Sequence, residues 1–383
     1  MIERLAVSGY RSLRDLVIAP APLTLIAGAN GSGKSSLYRA LRLLAEVAQG
    51  QLIGSIAREG GLSSTLWAGP EKFSREMVSG EVPVQGVVRT EPVHLRLGFS
   101  TSDYGYAVDL GLPQPPAVFA RDPEIKAEAL WMGPELSRSG AIAERRGPMV
   151  RLRTEDTGEW RVVQKDIASF DSMMTQAADP RDGVELLTLR ERMRGWRFYD
   201  NLRTDRDAPA RHPQIPTFTP QLAADGADLA AAILTIQAIG DASAFSDTID
   251  DAFPGSTVRI SGDDFAALEM RQPGLLRPLT TAELSDGTLR YMLLSAALLS
   301  PRPSELIVLN EPESSLHPAL IPPLARLLRT ASRHSQIIVV THSAALREAL
   351  KDDPRTIEIQ LEKRLGETLA SGCDVPDWKW PSR

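Results

Sequence analysis

The stretch Gly28-Ala-Asn-Gly-Ser-Gly-Lys-Ser35 constrains the fold more than any other part of the chain. It follows the apolar run Leu23-Thr-Leu-Ile-Ala27 and precedes Ser35 to Ala48, where Leu37, Leu41, Leu44 and Ala48 recur at helical spacing. A strand, a glycine-rich loop and a helix in that order build a cradle for phosphate. Gly28, Gly31 and Gly33 let the backbone fold tightly, so that its N–H groups and the positive end of the helix face phosphate oxygens. In this reading Asn30 and Ser36 belong to the nucleotide-binding loop, Lys34 bridges the β- and γ-phosphates of ATP, and Ser35 offers its hydroxyl to Mg²⁺.

Composition narrows the class. The chain has 383 residues, 43% of them hydrophobic, and a formal charge of −6, values of an ordinary globular protein with room for two or three structural units. Cys373 is the single cysteine, which excludes an intrachain disulfide and a cysteine-based zinc site and points to a reducing compartment. Charges lie in Met1 to Val7 where a signal peptide needs an apolar run, and no stretch of about 18 apolar residues occurs. A cytoplasmic protein without a membrane partner is expected. The acidic balance still permits a local basic track for nucleic acid.

Three short strands fit residues 2–27, broken at Gly9-Tyr10-Arg11-Ser12 and Pro20-Ala21-Pro22. Alternating runs such as Val93 to Leu97 and Met149 to Arg153, interrupted by glycines and the Pro113 to Pro116 cluster, predict a mostly β lobe between 55 and 222. A helix is expected over 226–239, started by Gly226 and Asp228, with strands at 256–260 and 265–270 after it. From 287 the order becomes helix, strand (305–309), helix (318–331), strand (336–340), helix (344–350), which implies a parallel sheet covered by helices. The expected fold class is α/β, with residues 1–54 and 223–383 as the two parts of one domain and 55–222 as an inserted β-rich lobe.

The downstream half carries three further segments. Leu306-Ile-Val-Leu-Asn-Glu-Pro-Glu313 is an apolar strand ending in polar residues, the layout of a Walker B segment. Glu311 is the expected base or water-positioner. Asn310 stands where an Asp would hold the metal through its water shell; it accepts a hydrogen bond but adds no charge, a loss that Glu313 could partly offset. His342 follows the apolar strand Ile337 to Val340 and would reach the γ-phosphate from that strand's C-terminal edge. In Leu284-Ser-Asp-Gly-Thr-Leu-Arg290, Ser285 can cap a helix and Gly287 lets the backbone approach an anion.

Taken in order, these segments resemble the ATP-binding cassette type of P-loop ATPase: Walker A, signature, Walker B and switch histidine. Tyr10-Arg-Ser-Leu13, the Gly28 to Ser35 loop and Asn310-Glu-Pro-Glu-Ser-Ser-Leu-His-Pro318 make the chain similar to the RecF, SMC and OLD group of AAA family ATPases. The likeness covers about 1–50 and 225–350, and in layout it is nearest to RecF. It implies an ABC-type domain with an inserted lobe, ATP and Mg²⁺ as cofactors, Arg11 among the nucleotide-binding residues, and catalysis by Lys34, Glu311 and His342. It also implies a homodimer with ATP sandwiched between chains, in which Ser285 and Gly287 meet the partner's nucleotide. The expected role is hydrolysis coupled to DNA, in repair or in defence against foreign DNA. The alternative is a weakly hydrolysing scaffold for a separately encoded effector protein, which Asn310 suits.

Long coiled-coil arms are not expected, nor is a nuclease domain, because about forty residues follow His342. A basic track is expected around Arg11 and Arg14, where Asp15 is the one acidic residue nearby in sequence. The Arg190 to Arg206 stretch reads instead as a solvated helix and a strand whose aromatics, Trp196, Phe198 and Tyr199, are core. Leu361 to Leu369 predicts a terminal hairpin, with Trp378 and Trp380 anchoring the tail.

Overall fold

The computed structural model describes residues 1–79, 81, 82, 92–114, 118–154, 157–200 and 202–383, so Pro115 and Pro116 of the proline cluster lie outside the described residues. The chain divides into two compact units, one of residues 1–20, 27–196 and 359–383, the other of 21–26 and 197–358.

In the first unit β1 (Arg4–Tyr10) and β2 (Leu13–Ile18) form the opening hairpin, and β3 (Leu23–Gly28) delivers the glycine-rich loop. β4 (Leu95–Ser100), β5 (Tyr104–Gly111), β6 (Glu124–Met132), β7 (Ala141–Arg146), β8 (Met149–Arg153) and β9 (Trp160–Gln164) follow. All of these except β3 build an eight-stranded sheet in the order β2-β1-β4-β5-β6-β7-β8-β9, each neighbour antiparallel. The helix Lys34–Ala48 lies on it, burying Leu37, Leu41, Leu44 and Ala48 as their spacing predicts. The alternating runs therefore form one antiparallel meander. The segment between it and the first helix contributes short helices at Leu52–Arg58, Leu62–Thr65 and Arg75–Ser79.

A fully buried ion pair stiffens this sheet. Arg145 Nη1 lies 3.3 Å from Glu128 Oε2, and both side chains are 0% exposed. Glu128 also accepts from Tyr106 Oη at 2.6 Å, Ser172 Oγ at 2.5 Å and the Met173 N–H at 2.8 Å, which pushes the Tyr106 hydroxyl well above its ordinary range through burial and the adjacent carboxylate. Arg145 donates further to the carbonyls of Ala168 and Gly147 at 2.9 Å each and to that of Asp171. Removing one partner leaves the other buried and uncompensated. Arg145→Ala is expected to lower unfolding stability by about 3–5 kcal/mol, read as an earlier midpoint in denaturant.

The second unit holds β10 (Arg197–Tyr199), β11 (Thr257–Ser261), β12 (Ala267–Arg271), β13 (Leu279–Thr280), β14 (Leu306–Asn310) and β15 (Gln336–Val340). β14 pairs in parallel with β10 on one side and β15 on the other, and β15 pairs in parallel with residues 23–26 of β3. The helix Ile321–Ala331 is the crossover between β14 and β15. Helices Leu229–Ile239, Ala242–Ala252 and Asp286–Leu298 complete the core with Ile307, Leu309, Ile337 and Val339. Two helix starts differ from the sequence expectation. Pro318–Leu320 is a 3₁₀ turn and the α-helix begins at Ile321. Asp228 sits at the N-cap of Leu229–Ile239, but its carboxylate turns back to the Ala223 N–H at 2.9 Å.

β16 (Thr356–Arg364) and β17 (Glu367–Ser371) form the expected hairpin, turning at Leu365 and Gly366, both with positive φ. The boundary between the units falls inside β3 and inside β16. Trp378 stacks edge-on against Trp131 at 5.7 Å and Trp380 at 5.5 Å, the anchor predicted for the tail. Trp196 is buried on Phe99 in the first unit and Tyr199 in the core of the second, so two of the three expected aromatics are taken up by packing, whereas Phe198 is half-buried. Among the described residues the longest helix has 15 residues, and none is long and apolar enough to cross a membrane.

Candidate functional site

The phosphate loop is built as its sequence demands. Gly33 has φ +111°, and a Cβ there would lie 2.2 Å from Thr368 Oγ1; at Gly28, φ +150°, it would lie 2.3 Å from the Leu361 carbonyl. Only glycine fits either place. The helix Lys34–Ala48 has neither a side-chain cap nor an acidic residue in its first turn, so its N-terminal donors and dipole remain available to an anion. Lys34 is 4% exposed and donates to the carbonyls of Gly28 at 2.7 Å and Ala29 at 2.8 Å, folded over the loop itself. Asn30, Gly31 and Ser35 are exposed and Ser36 is half-buried. Ser32 Oγ is buried without a hydrogen-bond partner, an orphaned hydroxyl that fits a phosphate oxygen.

The loop has a brace that sequence reasoning missed. Thr368 on β17 is fully buried; its hydroxyl donates to the Ser32 carbonyl at 2.7 Å and lies in hydrogen-bond contact with Ser12 Oγ at 2.8 Å, while its N–H reaches the Ser12 carbonyl at 2.8 Å. A hydroxyl on a predicted hairpin was the single available signal.

In the second unit the parallel register sets Asn310 beside Val340, so the ends of β14 and β15 lie side by side. The Glu311 N–H donates to the Val340 carbonyl at 2.8 Å, and Glu311 takes φ +48°, a left-handed conformation unusual for a non-glycine residue. This turn aims its carboxylate at the neighbouring loop, where His342 Nε2 lies 3.2 Å from Glu311 Oε1. Both side chains are partly exposed, at 44% and 39%. Asn310 Oδ1 is buried without a partner, an acceptor that fits the hydrogen of a metal-bound water. Among the described residues no cluster of three His, Cys, Asp or Glu could hold a metal by itself.

Ser285 caps the helix Asp286–Leu298 through the Thr288 N–H. Gly287 approaches the loop after β14 closely, since a Cβ would lie 3.0 Å from the Ser315 carbonyl. Two half-buried arginines fix this helix, and neither was singled out from sequence. Arg211 donates to the carbonyls of Thr281 at 2.8 Å, Leu284 at 2.9 Å and Thr204 at 2.7 Å, and pairs with Asp286 at 2.8 Å. Arg290, on the helix, donates to the Leu202 carbonyl at 2.8 Å and the Glu311 carbonyl at 3.1 Å. Burial pulls the Arg290 guanidinium below its usual range, against the opposing pull of Glu313 and Glu311. A lone arginine among leucines in Thr288-Leu-Arg-Tyr-Met-Leu-Leu294 was the sequence signal.

Arg11 and Arg14 are both engaged within the first unit. Arg11 pairs with Glu59 at 2.6 Å, an acceptor shared with Tyr10 Oη at 2.6 Å, and burial together with Glu59 pushes that hydroxyl upward. Arg14 pairs with Glu367 at 3.1 Å and lies over the Phe73 ring. The fold thus brings two carboxylates to the hairpin that are remote in sequence.

A family model described as "AAA domain, putative AbiEii toxin, Type IV TA system" matches residues 23–348, from β3 through the intervening lobe to the helix after His342. The chain belongs to this family. No curated protein matches it in sequence. Among solved structures, an SMC head bound to the C-winged helix domain of ScpA is similar over 97% of each chain, with a TM-score of 0.52 and 16% identity. An SMC head domain from Thermotoga maritima is similar over 98% of this chain and 99% of that one, with a TM-score of 0.45 and 17% identity. This AAA-domain protein therefore has the mixed α/β fold of an ABC-type P-loop ATPase head, carrying an antiparallel β-rich sheet.

Proposed function

We propose that the chain binds ATP with Mg²⁺, closes as a homodimer around two nucleotides and hydrolyses them in a cycle that acts on DNA, in repair or in defence. The observation that carries this reading is the Glu311–His342 pair, 3.2 Å apart on a turn held in the left-handed region at the C-terminal edge of a parallel sheet. A partly exposed carboxylate there can accept a proton from an attacking water, and the imidazole can orient it. Lys34, Ser32 and the amides of residues 28–36 take the phosphates. Ser35 would offer its hydroxyl to Mg²⁺ and Asn310 an acceptor to the ion's water shell, and the ion would neutralise phosphate charge. Ser285 and Gly287 meet the nucleotide of a C₂-related partner. The family's toxin–antitoxin description supports defence over repair.

A second reading has its own support. Asn310 lacks the charge of an Asp, and Arg11 and Arg14 are already paired with Glu59 and Glu367, which suits a slow ATPase that serves as a scaffold for a separate effector. Phosphate release with and without duplex DNA over a salt series separates the two. A DNA-acting enzyme shows turnover that DNA stimulates at low salt and that high salt returns to basal. Turnover indifferent to DNA at every salt concentration selects the scaffold.

Asn310→Asp restores one negative charge next to the metal's water shell. The Mg²⁺ concentration for half-maximal turnover is expected to fall by about tenfold, measured by titrating the metal at fixed ATP. An unchanged midpoint would remove Asn310 from the metal site.

A further inference from the structure

Glu313 has no role in the hydrolysis as proposed, yet it is the most heavily engaged carboxylate beside the reacting pair. Its Oε1 accepts from Thr341 Oγ1, from the His342 N–H at 3.1 Å and from the Ser343 N–H at 3.1 Å. Three donors from three consecutive residues thus converge on one oxygen. Those residues lie between the end of β15 at Val340 and the start of the helix Ala344–Leu350, so His342 has no ladder to hold its amide, and Ser343 N–H divides itself between Glu313 and Thr341 Oγ1 at 2.9 Å. Hydrogen bonds to an ionised acceptor are roughly twice as strong as neutral ones.

The other face of the carboxylate is buried too. Glu313 Oε2 and Arg290 Nε are both buried without hydrogen-bond partners, and Glu313 is the stronger of the two carboxylates that oppose the effect of burial on Arg290. Arg290 in turn donates to the Glu311 carbonyl at 3.1 Å. The carboxylate therefore fastens the loop of His342, while the half-buried Arg290 fastens the strained turn of Glu311.

We propose that Glu313 is a positioning residue, a carboxylate latch on the Thr341–Ser343 loop that keeps His342 Nε2 within reach of Glu311 Oε1. The inference rests on Glu311 and His342 being the reacting pair of the proposed hydrolysis. It names the group through which their geometry is held.

Hydrogen exchange of the nucleotide-free full chain tests the latch independently of any activity. In Glu313→Ala the amide of His342 should exchange at least about tenfold faster, and that of Ser343, which Thr341 Oγ1 also accepts, by less, with the phosphate loop unchanged. Glu313→Gln keeps an acceptor oxygen without the charge and should fall between wild type and alanine, which also covers a poorly folding alanine variant. In ATP turnover, kcat should fall by about 10–100-fold in the alanine variant and by less in the glutamine variant, with ATP affinity within about threefold of wild type. Unaltered exchange at residues 342–343 in both variants overturns the latch. Faster exchange with unchanged kcat, in an active wild type, overturns its positioning role. Absent turnover in wild type counts against the ATPase reading instead, and the exchange result still decides the latch.

Discussion

Lys34→Ala is expected to abolish nucleotide binding at ordinary concentrations. The Lys34 ammonium is buried and already turned onto the Gly28 and Ala29 carbonyls, so the loop is shaped around a positive charge. Without it, the loop itself would offer the phosphates only backbone dipoles and the orphaned Ser32 hydroxyl beside the metal. Losing charge-assisted hydrogen bonds to a phosphate costs on the order of 3 kcal/mol, about 100-fold in Kd. Calorimetric titration with ATP and Mg²⁺ reads this directly. Affinity within a few-fold of wild type would mean that nucleotide is held elsewhere.

Glu311→Gln should separate binding from chemistry. The amide keeps the size of the side chain and can still meet His342, but it cannot take a proton from water. General-base catalysis contributes about 10²–10⁴-fold, so kcat should drop by about a thousandfold while ATP affinity is retained. With hydrolysis blocked, the ATP-bound homodimer should accumulate and be visible by light scattering. A variant that turns over like wild type would move the base to another residue, and one that stays monomeric with saturating ATP would remove the sandwich.

Much of the candidate site was legible because its signals are local. The glycines, Lys34 and the amphipathic run after them specify strand, loop and helix within thirty residues. Ser285 before an apolar run declares its cap, and one crossover between Asn310 and Thr341 forces two parallel strand ends together. What stayed hidden is side-chain chemistry across long separations. Thr368 braces Ser32 from 336 residues away, a pairing that no periodicity encodes. Arg11 and Arg14 looked like a basic track because Asp15 was their nearest acid in sequence, whereas the fold supplies Glu59 and Glu367. Arg211 and Arg290 spend their donors mainly on backbone carbonyls, which a sequence cannot display. The conformation of Glu311 is likewise set by neighbours on β15 and the helix Asp286–Leu298 rather than by its own preference.

Phosphate release measured across a range of protein concentrations, in saturating ATP and Mg²⁺, tests the central claim most directly. Two chains hydrolysing ATP between them predict a rate per chain that rises with concentration to a plateau, and that Glu311→Gln removes at every concentration. A rate per chain that stays flat and survives Glu311→Gln would contradict the account.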